Sequence, residues 1–132
     1  MTVVVDASAL VELLLRTPTG LALEGRLLAG PAQAPDIIDA EVAAGLRRAW
    51  RQGAVTAGDT QRALERLLDW PGRRIPTRLL VRRSQRWWGN VSAYNSLYLA
   101  VAHVSGASIL TCDGRLSRAP GTGVPVENVR VG

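Results

Sequence analysis

The chain contains no lysine and no phenylalanine, and it has only one cysteine, one histidine and one methionine. Each scarcity removes a class of site. Without lysine there is no Walker-type phosphate loop and no response-regulator pocket, since both need that side chain. A lone Cys112 permits neither an internal disulfide nor a multi-cysteine zinc site, which fits a reducing compartment. His103 falls in an apolar helical stretch, where a packing or helix-end role is the commoner use of the residue. No apolar run approaches the roughly 20 residues of a membrane span. A charged residue, Asp6, arrives too early for a signal peptide, so the expected location is cytoplasmic.

What is present is a basic, apolar chain. Hydrophobic residues make up 47% of the 132 positions, enough for one folded domain over residues 1–132 with a real core. All sixteen basic residues are arginine, against eleven acids, for a net charge of +5. Arginine forks onto phosphate through two parallel hydrogen bonds and stacks on bases, so a polyanionic substrate suits this surface. Charge alone decides little, because surface arginines more often merely solvate.

The pattern alternates strands and helices. Residues 2–6 read as a strand, Ser8 to Arg16 as a helix and Gly20 to Ala29 as a second. A short strand around Gln33-Ala34 precedes a helix capped by Asp36, with Asp39 at its third position, running to about Gln52. Thr56 to Asp59 opens the next helix, which ends at Pro71, and a short strand near Arg74-Ile75 follows. Thr77 through Trp87 reads as a basic helix. Ser92 then caps a helix to Val104 that is apolar almost all round and therefore buried. Ser108 to Thr111 is a strand, Asp113 to Arg118 a brief helix and Val126 to Val129 a last strand. The expectation is an α/β fold with a central parallel sheet of four to five strands flanked by helices.

Oxygen-bearing side chains sit at telling points of this pattern. Asp6 and Asp113 follow apolar runs that read as buried parallel strands, and open α/β sheets do their chemistry beyond such strand ends. Each could be a simple helix cap, but two such coincidences in a small sheet point to one shared pocket. Glu41 lies in a helix beside the apolar stripe of Ile38, Val42 and Leu46, where a carboxylate is uncommon without a partner. Asn95, three residues after Ser92, on its own reads as a helix-end residue. Carboxylates gathered in one pocket repel unless they share protons or a cation. Magnesium or manganese is the natural counter-charge for an all-oxygen cluster, which points to metal-dependent chemistry on phosphates.

Four segments, in order, make the pattern specific: Val-Val-Asp-Ala-Ser-Ala-Leu at residues 4–10, Ala-Pro-Asp-Ile-Ile-Asp-Ala-Glu-Val-Ala at 34–43, Val-Ser-Ala-Tyr-Asn-Ser-Leu-Tyr-Leu-Ala-Val-Ala at 91–102, and Leu-Thr-Cys-Asp-Gly-Arg-Leu at 110–116. Together they resemble a PIN domain and, more narrowly, the VapC toxins of bacterial toxin–antitoxin pairs. The resemblance implies a ribonuclease whose acidic quartet binds magnesium or manganese. Its members would fall on Asp6, Glu41, Asn95 and Asp113, supported by Ser8 and Thr111. It also implies a cognate antitoxin, an RNA substrate and a homodimer. The family carries Asp where this chain has Asn95.

That amide keeps a second reading open, a non-catalytic PIN-like module that binds RNA or antitoxin. A haloacid-dehalogenase-type phosphatase needs a second Asp two positions after the first, and Ser8 stands there. Arginines 73, 74, 78, 82, 83 and 86 crowd one segment, and Arg78, Arg82 and Arg86 would share a helix face suited to RNA. Trp87 and Trp88 could stack on bases, although core or interface packing is the commoner use; Tyr94 and Tyr98 read as packing near the pocket. Leucines in residues 10–28 look available for an interface.

Overall fold

The computed structural model describes residues 2–27 and 30–130. Five short strands form one parallel sheet: β1 (Val3–Val5), β2 (Ala32–Pro35), β3 (Arg73–Ile75), β4 (Ser108–Thr111) and β5 (Val126–Asn128). Their spatial order is β3-β2-β1-β4-β5. The sheet is thus built outward from β1 in one direction, then resumes on β1's other side with β4. A crevice opens beyond the carboxyl ends of β1 and β4, where the winding reverses.

Helices cover both faces because of that reversal. α1 (Ala7–Leu15), α2 (Pro18–Leu27), α3 (Ile38–Arg51) and α4 (Ala57–Asp69) belong to the connections running outward from β1 to β3. Right-handed crossovers place these on one face, and α1 packs against α2, α3 and α4. The return from β3 to β4 carries α5 (Val81–Ser84) and α6 (Ala93–Ser105), and α6 lies against β2, β1 and β4. A brief α7 (Gly114–Arg118) joins β4 to β5.

Sequence chemistry explains the central elements. β1 is three consecutive valines, whose branched side chains suit a pleated, buried strand. In α6 every residue from Ser96 to Ala102 is buried, as a helix apolar on all sides must be. Ser92 caps it by accepting from the Asn95 N–H at 3.1 Å, and Gly106, at φ 65°, ends it in the left-handed region. Thr56 and Asp59 form a reciprocal capping box on α4. Gly20 lets α2 lie directly on α1, since a Cβ there would sit 1.9 Å from the Glu12 carbonyl oxygen.

Several local expectations are corrected. Asp36 does not cap α3; it accepts from the Thr77 N–H at 3.0 Å and from the Thr77 hydroxyl, tying the end of β2 to the segment after β3. Asp39 pairs instead with Arg74, at 3.0 and 3.3 Å through two nitrogens. The basic helix from Thr77 to Trp87 is three pieces: 3₁₀ turns at Thr77–Leu79 and Gln85–Trp87 flank the single α-turn of α5. Leu80 and Trp87 must both reach the core, and the Ser84 hydroxyl bonds back to the Val81 carbonyl at 2.7 Å, competing with helical pairing. Arg78, Arg82 and Arg86 therefore share no continuous face; Arg82, Arg83 and Arg86 gather around Leu79 instead. Of the leucines in residues 10–28, Leu10, Leu14 and Leu23 are core residues and Leu21 is exposed. Residues 28 and 29, which complete the second helix expected from the sequence, lie outside the described residues.

Candidate active site

Asp6 and Asp113 meet through strand register. Val5 pairs with Leu110 across β1 and β4, which sets the next residues, Asp6 and Thr111, side by side. The Asp6 N–H completes that ladder to the Leu110 carbonyl at 3.1 Å. Its carboxylate is 4% exposed and held by three donors. Oδ1 accepts from the Ser8 hydroxyl at 2.7 Å and the Ala9 N–H at 3.1 Å, and Oδ2 accepts from the Thr111 hydroxyl. Thr111 also accepts from the Asp113 N–H at 2.8 Å, and Ser8 from the Cys112 N–H at 2.9 Å. Ser8 and Thr111 thus lock the ends of β1 and β4 together around one carboxylate.

Burial pushes the Asp6 carboxyl above its ordinary range, and the nearby Asp113 charge adds to the rise. The bonds from Thr111, Ser8 and Ala9 offset part of it. Among the described residues the ion pairs are Arg26–Glu127, Arg62–Asp59, Arg74–Asp39 and Arg130–Glu12, so no arginine neutralises Asp6, Glu41 or Asp113.

A cleft of about 560 Å³ opens over this pair, and Asp6, Glu41, Asn95 and Asp113 all line it. Glu41, Gly45 and Arg48 contribute from α3 at a spacing of four and then three residues, one face of that helix. Tyr98 reaches the cleft from α6 and donates its hydroxyl to Glu41 Oε1 at 2.6 Å. Burial first, then the charges of Glu41 and Asp6, drive the phenol far above its ordinary pKa, so it remains a donor. Asp113 caps α7 by accepting from the Arg115 N–H at 2.9 Å. Cys112 is no nucleophile: burial, with the charges of Asp6 and Glu12, pushes its thiol up to about 11.

The donor set fits a hard divalent cation, being three carboxylates and an amide oxygen with no cationic side chain bonded to them. Among the described residues, however, no three acidic, histidine or cysteine side chains come together as a ready-made metal group. Glu41 is engaged by Tyr98 and Asp113 by its own helix, so the donors share a wall rather than a closed coordination sphere.

Sequence reasoning missed the Tyr98–Glu41 bond and the placement of Arg48 and Arg130 at the cleft. Arg48 was findable: it stands two turns after Glu41 on the same helix face. Tyr98 was not, because nothing in its apolar surroundings distinguishes a phenol that packs from one that also donates.

Away from the cleft, His103 stands near the far end of α6, about 12 Å from Asn95 along the helix axis at 1.5 Å per residue. Its Nδ1 lies 3.3 Å from Arg83 Nη1 and its Nε2 lies 3.3 Å from Arg86 Nη1. A neutral imidazole accepts at one nitrogen only, so the two guanidinium groups cannot both donate to it. Trp87 packs beneath, edge-on to His103 and under the Arg86 guanidinium.

A parallel sheet wound in both directions from β1, with acids at its switch point, defines an open α/β domain with an acidic crevice. The PIN domain family matches residues 3–121. Ribonuclease VapC12 of Mycobacterium tuberculosis is 32% identical over 127 residues, 96% of this chain and 98% of that protein. Ribonuclease VapC3 of the same organism is 38% identical over 118 residues, 89% of this chain and 86% of the other. In fold, the chain is similar to PAE2754 from Pyrobaculum aerophilum, at a TM-score of 0.67 and 23% identity over 97% of this chain and 84% of that one. It is also similar to FitAcB from Neisseria gonorrhoeae, at a TM-score of 0.62 and 17% identity over 96% of each chain. The chain belongs to the PIN domain family, among relatives that are VapC ribonucleases.

Proposed function

We propose that this chain is a divalent-metal-dependent endoribonuclease, the toxin of a type II toxin–antitoxin pair, and that the cleft is its active site. The observation that carries the reading is Asp6: a buried carboxylate, oriented by three donors, without a cationic partner, at the switch point of a VapC-like PIN sheet. Asp6, Glu41, Asn95 and Asp113 would hold magnesium or manganese. When bound, such a cation makes water easier to deprotonate and stabilises the charge that builds on a phosphodiester under attack.

The protein's own groups do the rest. Ser8, Thr111 and the Ala9 N–H fix Asp6 so that one rigid carboxylate faces the cleft. Tyr98 holds Glu41 in the lining of the same cleft, where a carboxylate can orient a water or take its proton. Arg48 and Arg130, on the cleft's rim, supply donors for the phosphates flanking the scissile one. The antitoxin and the homodimer rest on the family resemblance; an antitoxin side chain carrying a cation would satisfy Asp6 in the metal's place and so block it.

Asn95 favours a second reading, a PIN-like module that binds RNA or antitoxin without cutting. An amide can ligate a cation but brings no negative charge, so metal affinity falls. The deciding experiment is incubation with total cellular RNA and manganese, with and without chelator, mapping new ends by sequencing. Discrete, chelator-sensitive ends that vanish in Asp6→Asn support the nuclease. Their absence from both this chain and Asn95→Asp would leave only the binding module.

A further inference from the structure

A second pocket, of about 400 Å³, adjoins the cleft and shares Asn95 with it. Its other walls include Trp88, Asn90 and Arg115. Two of these walls are tied to the cleft through the chain. Asn95 faces both spaces, and Arg115 follows the cleft residue Asp113, whose carboxylate accepts the Arg115 N–H. Whatever enters this pocket lies next to whatever enters the cleft.

The tryptophan pair is divided between two tasks. Trp87 is 3% exposed and donates its indole N–H to the Thr122 carbonyl at 2.8 Å, so it anchors the segment. Trp88, the next residue, leaves 51% of its surface exposed at the pocket. Its support is rigid: the Trp88 N–H bonds to the Gln85 carbonyl at 3.1 Å, and Asn90 is tied to the Trp87 and Pro120 carbonyls at 2.9 and 3.0 Å. A large aromatic face is thus held out to solvent on a fixed backbone. Arg115 is exposed and, among the described residues, pairs with no carboxylate. A flat apolar face, an unengaged guanidinium and an amide around one small space match a ligand that is flat, hydrogen-bonding and attached to phosphate.

We propose that this pocket is a nucleobase subsite: an unpaired base of single-stranded RNA stacks on Trp88, its phosphate meets Arg115, and the neighbouring phosphodiester lies in the cleft. Unpaired bases are bound in this way by exposed aromatics and arginine planes, whereas a duplex keeps its bases inside the stack. The inference rests on the nuclease reading and adds to it the residues that receive the base beside the cleft.

The test is equilibrium binding of an end-labelled single-stranded RNA oligomer by fluorescence anisotropy in chelator, where no metal-dependent cleavage occurs. Trp88→Ala is expected to weaken binding about tenfold, or about 1.4 kcal/mol. Trp88→Phe should stay within about threefold of the parent, and Arg115→Ala should weaken binding by several-fold. Binding of a fully paired duplex should be the same for the parent and Trp88→Ala. Thermal melting confirms that each variant is folded, which the exposure of Trp88 favours. Unchanged single-strand affinity in Trp88→Ala overturns the subsite, as does a parent that binds no single-stranded RNA. A Trp88→Ala variant that changes sedimentation but not RNA affinity also overturns it, and identifies the patch as a contact between copies. Cleavage plays no part in this readout, so a subsite that binds as expected in a chain that never cuts sinks the nuclease reading alone.

Discussion

Tyr98 and Glu41, 57 positions apart, are joined by a 2.6 Å hydrogen bond in which the phenol donates to the carboxylate. The bond ties the central helix α6 to α3 at the cleft that both residues line. It gives Glu41 a fixed direction that its place midway between core and solvent would not. Tyr98→Phe removes the donor and little else, since the ring is buried and the pocket around it keeps its shape. Hydrogen bonds to charged groups contribute about 1.5–3 kcal/mol, part of which Glu41 recovers by turning to water. The expected outcome is a loss of about three- to tenfold in RNA cleavage with a melting temperature lower by a few degrees, read by gel assay and by circular dichroism.

Asp6 contributes a pH dependence of its own. Its folded-state carboxyl is raised, mainly by burial, so between the unfolded value and the folded one the native state binds more protons than the unfolded chain. Its contribution to stability without metal therefore falls as pH rises through that window and is highest on the acid side. A divalent cation reverses the loss by favouring the charged form. Melting scans in chelator should show the parent's melting temperature declining from acid pH upward relative to that of Asp6→Asn, a difference in which the opposite contributions of the ion-paired Asp59 and Glu127 cancel. Manganese should raise the parent's melting temperature at neutral pH and do nothing at acid pH, where protons compete for Asp6. Asp6→Asn should remove that response; a manganese shift that survives in this variant would place the cation elsewhere.

Much of this architecture was legible because it rests on local signals. Valine-only β1, the Ser92 and Thr56 caps and the all-round apolar α6 each announce themselves within a few residues. Asp6 and Asp113 could be nominated from strand ends alone. What stayed hidden depends on contacts between segments distant in sequence. Asp36 looks like a cap until Thr77, 41 residues on, offers better donors. The arginine run from Arg78 to Arg86 has helical spacing, but Leu80 and Trp87 are both drawn into the core and break it. The donor geometry of Glu41 was beyond reach for the same reason, since its partner Tyr98 lies on another layer of the fold.

The arginines around His103 are expected to act as a phosphate clamp. Arg83 and Arg86 converge on one imidazole that can accept from only one of them, and neither has a carboxylate partner among the described residues. An RNA phosphate would relieve both the repulsion and the surplus donor. Replacing both with alanine should weaken binding to every RNA sequence alike. It should also reduce the slope of log affinity against log salt by about 0.7, the value for one phosphate contact on a single strand. Titrations at three or four salt concentrations provide the check, and an unchanged slope would leave these arginines as ordinary solvated surface.

Asn95 is the residue on which activity should turn. It is the third residue of α6, with its N–H on the Ser92 hydroxyl, and it lines the cleft together with Asp6, Glu41 and Asp113. The resemblance to VapC toxins implies Asp at this position, and the backbone at Asn95 is already that of a capped helix start, so Asp fits without rearrangement. The carboxylate would add one negative charge to the cleft that Asp6 lines, which deepens the attraction for a divalent cation while making the empty cleft more repulsive. Asn95→Asp is therefore expected to melt lower in chelator, to bind manganese more tightly and to cleave RNA at least tenfold faster. A tenfold gain needs only about 1.4 kcal/mol of transition-state stabilisation, well within what one metal ligand supplies. Calorimetric titration of manganese and a cleavage time course at equal protein concentration measure the two effects independently. Tighter manganese binding without faster cleavage would make Asn95 a metal ligand but not the brake on catalysis; no change in either would put it outside the working site.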